Sequence, residues 1–131
     1  MPREVHNPNT LFNSLQHGFS QIAVGSGSRI VTISGQVGWD ENKQISRDFH
    51  QQTLKALQNL QVALETVSGT LDDILLLHIY ILESVMDEST AVRDGLRQFF
   101  PEAPPATSWI GVPRLANAAF LIEIEALAVL P

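Results

Sequence analysis

The chain contains no cysteine. Disulfides, thiolate catalysis and cysteine-based metal sites are therefore excluded. Positive charge is scarce: 8 Lys and Arg stand against 14 Asp and Glu, giving a net charge of −6, and no basic run occurs. A stripe that would follow a phosphate backbone is absent, which counts against nucleic acid as a partner. Long apolar runs are missing too. The longest, ILLLHIYIL from Ile74 to Leu82, carries a histidine and is far too short to span a bilayer, so no membrane association is expected. The first twenty residues hold no apolar h-region, so no signal peptide is visible and a cytoplasmic location is expected.

What is present is an ordinary globular composition, 44% apolar and 17% charged over 131 residues, expected to form a single domain over 1–131. The first ~18 residues read as an irregular arm. The runs SQIAV and RIVTISGQ flank GSGS at 25–28 and predict a hairpin. Asp48 is placed to cap a helix running to about Ser68, with Leu57, Leu60, Leu64 and Val67 at helical spacing and Gly69 as its stop. A strand covers 74–82. Asp87 is placed to cap a second helix with Val92, Leu96, Phe99 and Phe100 on its apolar stripe, ended by prolines at 101, 104 and 105. Two strands follow, about 107–112 and 119–129.

The predicted order is ββαβαββ, an α+β fold with a mixed sheet. Right-handed crossovers put both helices on one sheet face and leave the other bare. In the strand 74–82 both faces are apolar, as in a strand covered on both sides. One chain has no second helical layer to do this, so another copy of the chain is expected to cover the open face. The last strand poses a related question. Glu123 and Glu125 share one face with Leu121 and Leu127, while Phe120, Ile122, Ile124 and Ala126 share the other. Two carboxylates among leucines point to a subunit boundary rather than to bulk water.

The element order, ISGQ at 33–36, QT at 52–53 with the following NL at 59–60, and Pro105-Ala106-Thr107-Ser108 followed by Ile110, Leu115 and Ile122-Glu123-Ile124 together resemble the RidA/YjgF family. The resemblance runs over nearly the whole chain. It implies a chorismate-mutase-like fold, a homotrimer with sheet faces turned inward, and a small-molecule cleft at each subunit boundary. It also implies hydrolysis of enamine or imine intermediates to ammonia and a 2-oxo acid, with no cofactor. By the same resemblance Glu123 handles the water, and the signature arginine that grips the substrate carboxylate is replaced by Thr107. A threonine hydroxyl cannot act as a planar, charged, bidentate clamp. Phe19 falls at a tyrosine position of the family cleft, Trp109 at a position of smaller side chains, Pro113 at a small or basic position and Arg93 at an asparagine position. Arg114 matches a family arginine after the signature.

The candidate site is therefore Glu123 as the catalytic acid, with Phe19, Gly35, Arg93, Thr107, Ser108 and Trp109 as ligand-binding residues. Each has a plainer role. Glu123 and Glu125 fit interface carboxylates, Thr107 suits a strand, Trp109 suits an apolar interface, and Gly35 suits tight packing. Arg93 and Arg97 share a helix face and either reach the cleft or pair with Asp87, Glu88 or Asp94. His17 is placed at the cleft rim or the surface, and His78 within a buried strand. His6, His17, His50 and His78 show no metal-ligand spacing, so no metal is expected. Three functions remain open: a RidA-like hydrolase, a trimer that binds a small apolar or aromatic molecule without turning it over, and an endoribonuclease, which the charge balance disfavours.

Overall fold

The computed structural model describes residues 2–131. Its strands are β1 (Glu4–His6), β2 (Ile22–Val24), β3 (Arg29–Gln36), β4 (Ile74–Leu82), β5 (Ala106–Val112) and β6 (Ile122–Leu130). Its helices are α1 (Phe49–Thr66) and α2 (Thr90–Phe99). The main sheet runs β3-β6-β4-β5, with β4 and β5 parallel and the other pairs antiparallel. No helix among the described residues is long and apolar enough to cross a membrane.

β6 alternates strictly: Ile122, Ile124, Ala126, Ala128 and Leu130 are buried, and the residues between them are half-buried. β4 does the same from Leu77 onward, with Ile79 and Ile81 buried and His78, Tyr80 and Leu82 half-buried on the other side. The buried sides meet Leu57, Leu60 and Leu64 of α1 and Val92 and Leu96 of α2, which form one core. Each such leucine stabilises the fold by roughly 1.5–3 kcal/mol on burial. Both helices lie on this side, and the other side of the sheet is open, as the crossover argument requires.

α1 begins where Asp48 accepts a hydrogen bond from the Gln51 amide at 2.9 Å. At its other end Gly69 donates its N–H to Leu64 (2.8 Å), but the left-handed residue that turns the chain is Ser68, φ 64°. The stop thus sits one residue earlier than glycine placement suggests. α2 begins after Ser89 rather than at Asp87, because Glu83–Glu88 forms a 3-10 turn that absorbs the expected cap.

The predicted hairpin between the second and third strands does not form. β2 pairs with β1, and β3 pairs with β6. The GSGS segment crosses the end of the sheet instead of turning back on itself. A Cβ on Gly25 would lie 2.7 Å from Leu75 Cδ2, and one on Gly27 would overlap the Leu130 carbonyl. Glycine is needed here for close passage rather than for a two-residue turn. The N-terminal arm is correspondingly ordered. The buried Arg3 guanidinium donates to the carbonyls of Ala103 (2.6 Å), Leu71 (2.8 Å) and Ile74 (3.1 Å), which fixes β1 in place.

Candidate functional site

The antiparallel register of β4 and β6 sets His78 opposite Glu125 and Tyr80 opposite Glu123 on the open face. Glu125 Oε1 accepts from His78 Nδ1 and from the Tyr80 hydroxyl, each at 2.8 Å. A carboxylate only accepts, so the His78 Nδ1 carries the proton. The bond from His78, followed by that from Tyr80, holds the Glu125 carboxyl below its usual range, against a smaller opposing effect of burial. The same carboxylate pushes the Tyr80 hydroxyl up. Thr32, Leu76 and Leu127 complete a pocket of about 260 Å³ around His78 and Glu125. Glu125 thus faces a histidine and a tyrosine, with no Lys or Arg paired with it among the described residues.

Glu123 is different. It is half-buried and, among the described residues, takes part in no side-chain hydrogen bond or ion pair. Its carboxyl lies directly over Gly35. A Cβ there would come within 2.5 Å of Glu123 Cδ and 2.7 Å of Oε2. The β3–β6 register breaks between Ile33 and Gln36, so Gly35 sits in a bulge that brings bare backbone against the carboxyl. Glu123 and Gly35 therefore form one group: a carboxylate without a competing partner beside backbone that a ligand can approach.

A second group forms at the β5 edge. Ser20 bridges to Ala106 and donates its N–H to the Pro105 carbonyl (3.0 Å), which lays the preceding Phe19 beside β5. Phe19 and Trp109 have ring centroids 5.9 Å apart, and the Trp109 Nε1 donates to Thr107 Oγ1 at 3.0 Å. His17 and Phe12 continue the aromatic row, 6.4 and 6.2 Å from Phe19. Thr107 and Trp109 are in register with the buried Leu77 and Ile79, so they occupy the helix side of the sheet. Ser108, in register with His78, is on the open side, separate from both neighbours. Glycine at 18, φ 90°, lets the chain pass close to α2, where a Cβ would meet the Arg93 carbonyl at 3.2 Å. The Arg93 guanidinium pairs with Asp94 at 3.1 Å, and Arg97 donates to the Gln16 carbonyl at 2.8 Å.

Five of the expected site residues thus fall into two groups on opposite faces, Glu123 with Gly35 and Phe19 with Thr107 and Trp109, while Ser108 and Arg93 join neither. β4 lies between β5 and β6, which sets those strands about 10 Å apart. Within one chain Glu123 does not meet Thr107, Trp109 or Phe19. Sequence reasoning missed Tyr80 as the second donor to Glu125, although its alternation with His78 along β4 was the available signal. It also missed Gln52. This fully buried amide donates to the Ser46 and Ala119 carbonyls, each at 2.9 Å, and accepts from the Leu121 amide at 2.9 Å. It ties the loop before α1 to the start of β6.

Comparison with known proteins places this arrangement. Residues 12–130 match the family model described as Endoribonuclease L-PSP. A crystal structure of YyfB, a Rid-family protein from Yersinia pestis, superposes with a TM-score of 0.92 at 35% identity, covering 99% of this chain and 100% of that one. TdcF from E. coli, solved with bound serine, superposes with a TM-score of 0.73 at 26% identity over 82% of this chain and 85% of that one. The 2-iminobutanoate/2-iminopropanoate deaminase of Dermatophagoides farinae is 26% identical over 102 residues, 76% of this chain and 77% of the relative. With the strand order, the two helices on one face and the near-complete structural match, the chain belongs to the RidA/YjgF family of chorismate-mutase-like proteins.

Proposed function

We propose that the chain works as a homotrimer that hydrolyses a small enamine, imine or related reactive metabolite in clefts between subunits, with Glu123 handling the water. The observation that carries this reading is the Glu123 carboxylate, half-buried, without a side-chain partner among the described residues, and set against the bare backbone of Gly35. A carboxylate spent on a structural hydrogen bond, as Glu125 is, has little capacity left to accept a proton from water. One beside an open approach has that capacity.

In the reaction, Glu123 takes a proton as water adds to the C=N carbon and passes it to the nitrogen, giving a carbinolamine. The carbinol hydroxyl proton then moves to the nitrogen as C=O forms and ammonia leaves. The product is the oxo compound. Water is the only co-reactant, and no cofactor enters. The second group supplies the ligand-facing wall: Phe19, Trp109 and Thr107 of one copy across from Glu123 and Gly35 of the next. The deaminase among the relatives and the serine held by TdcF both support a small amino-acid-derived ligand.

A second reading, binding without turnover, is favoured by one observation. Thr107 stands where the resemblance expects a carboxylate-gripping arginine, and its hydroxyl already accepts the Trp109 indole N–H. Loss of a charged hydrogen bond of about 1.5–3 kcal/mol corresponds to roughly tenfold to a hundredfold. Ammonia release should be measured from imines generated in situ from several amino acids. The hydrolase reading expects release above the uncatalysed rate that Glu123→Gln abolishes. Tight binding of the same compounds with no release would establish the second reading instead.

A further inference from the structure

We propose that Lys43 and Arg47 form a carboxylate-binding subsite beside Glu123, for a small acid whose carboxylate stands several bonds from the carbon that water attacks. The proposal deepens the reading of Glu123 given above and rests on it for the reacting end alone.

A cavity of about 590 Å³ lies between the loop before α1 and the start of β6, lined by Lys43, Ile45, Arg47, Ala119 and Leu121 among others. That size suits a small organic molecule. Two cations line it and no carboxylate does. Neither cation takes part in an ion pair among the described residues. Of the acids in the same loop, Glu41 is exposed and does not line the cavity, and two are engaged elsewhere. Asp40 accepts from the Asn42 and Gln44 amides at 2.8 and 2.9 Å, and Asp48 caps α1. In a chain of net charge −6, such a pair of unmatched cations in a concave site is a local exception.

The walls are built rather than loose. Gln52, fully buried, ties Ser46 on one wall to Ala119 on the other. Lys43 is held in the left-handed region at φ 59°, with its amide donating to the Asp40 carbonyl at 3.0 Å. A non-glycine residue there is uncommon, and glycine would fit without strain. The Lys43 ammonium lies 5.4 Å from the Trp39 ring centroid, and Trp39 is braced edge-on by Phe120 at 4.6 Å. The strained backbone and the aromatic support hold a cation at a defined place.

Leu121 connects this cavity to Glu123. It immediately precedes β6, two positions before Glu123, a separation of about 7 Å along extended chain. A carboxylate held by the cations leaves the rest of a short ligand lying over Leu121, with its far end at Glu123. The apolar part of the lining suits a carbon chain better than a bare inorganic anion. The cationic grip missing at Thr107 is then supplied from another loop, and the acid preferred is not an α-acid.

The test is a calorimetric titration of the full chain, at fixed ionic strength, with 4-oxopentanoate, pyruvate and inorganic phosphate. The proposal expects 4-oxopentanoate to bind more tightly than the other two. Arg47→Ala and Lys43→Ala should each weaken it by at least about tenfold. Lys43→Gly relieves the backbone while removing the cation, so it should be at least as stable as the wild type and still lose the affinity. Glu123→Gln should abolish hydrolysis yet keep the preference for 4-oxopentanoate over pyruvate and phosphate, so failure of hydrolysis and failure of this subsite read out separately. Wild-type affinity in the Lys43 and Arg47 variants, or equal affinity for pyruvate or phosphate, would overturn the proposal.

Discussion

Glu123 and Glu125 are two residues apart on one strand face, yet their surroundings give them different chemistry. Glu125 is held by His78 and Tyr80, and Glu123 lies over Gly35 with no such partner. The position of Gly35 is therefore more demanding than that of an ordinary strand glycine. Gly35→Ala would drive a methyl group into the Glu123 carboxyl. We expect it to lower turnover at least about tenfold by displacing that carboxyl, with circular dichroism unchanged. The Glu125 network has a pH signature. Its folded pKa is depressed by hydrogen bonds that an unfolded chain lacks. The stabilisation is thus present above the unfolded carboxylate value, about 4.3, and is lost as pH falls through the lower folded value. Tyr80→Phe should therefore be less stable than the wild type in urea at pH 7, and the difference should shrink as the pH falls below 4. A gap that grows on acidification would contradict the network. At this scale the sequence was partly legible. The alternation placed Glu123 and Glu125 on one face, but which one stays free depends on cross-strand register, and spacing within a single strand carries no information about that.

At the scale of elements, β4 and the two helices were the most legible parts, because their apolar spacing is long and regular. β4 runs from Ile74 to Leu82 as expected, and its two faces separate cleanly. Leu77 is fully buried under the helices, whereas Leu76 is half-buried on the open face. Leu77→Lys should abolish folding, since an unpaired charge would enter the core. Leu76→Lys should leave helix content intact and weaken assembly. Circular dichroism and sedimentation on the same pair of variants check both halves. The hairpin was misread because a Gly/Ser turn between two β-rich runs is a local signal, while β3 finds its partner at β6 some hundred residues away. Long-range pairing leaves no mark in the turn itself. The cap at Asp48 was legible for the opposite reason: its partner, Gln51, is three residues on. Asp48→Ala should cost about 1 kcal/mol, read as a fall of a few degrees in melting temperature.

For the whole molecule, the argument turns on an open sheet face and a divided site. One side of the sheet carries Leu76, Tyr80, Leu82, Leu121 and Leu127 without helices over it. Five of the candidate residues stand in two groups that a single chain keeps on opposite faces. The proposed closed ring of copies would cover the sheet and join the groups at each boundary. Sedimentation equilibrium should show a trimer at micromolar concentration. The divided site was not legible in the sequence, since residues close in the chain, Thr107, Ser108 and Trp109, alternate between faces and only the sheet order shows how far they lie from Glu123. The most direct test mixes subunits. Glu123→Gln and Trp109→Ala chains should each form trimers with little activity. Unfolded, combined in equal amounts and refolded together, they should recover up to about a quarter of wild-type ammonia release, because that fraction of boundaries pairs an intact Glu123 with an intact Trp109. A mixture no more active than the average of its two parents would contradict a site completed between copies.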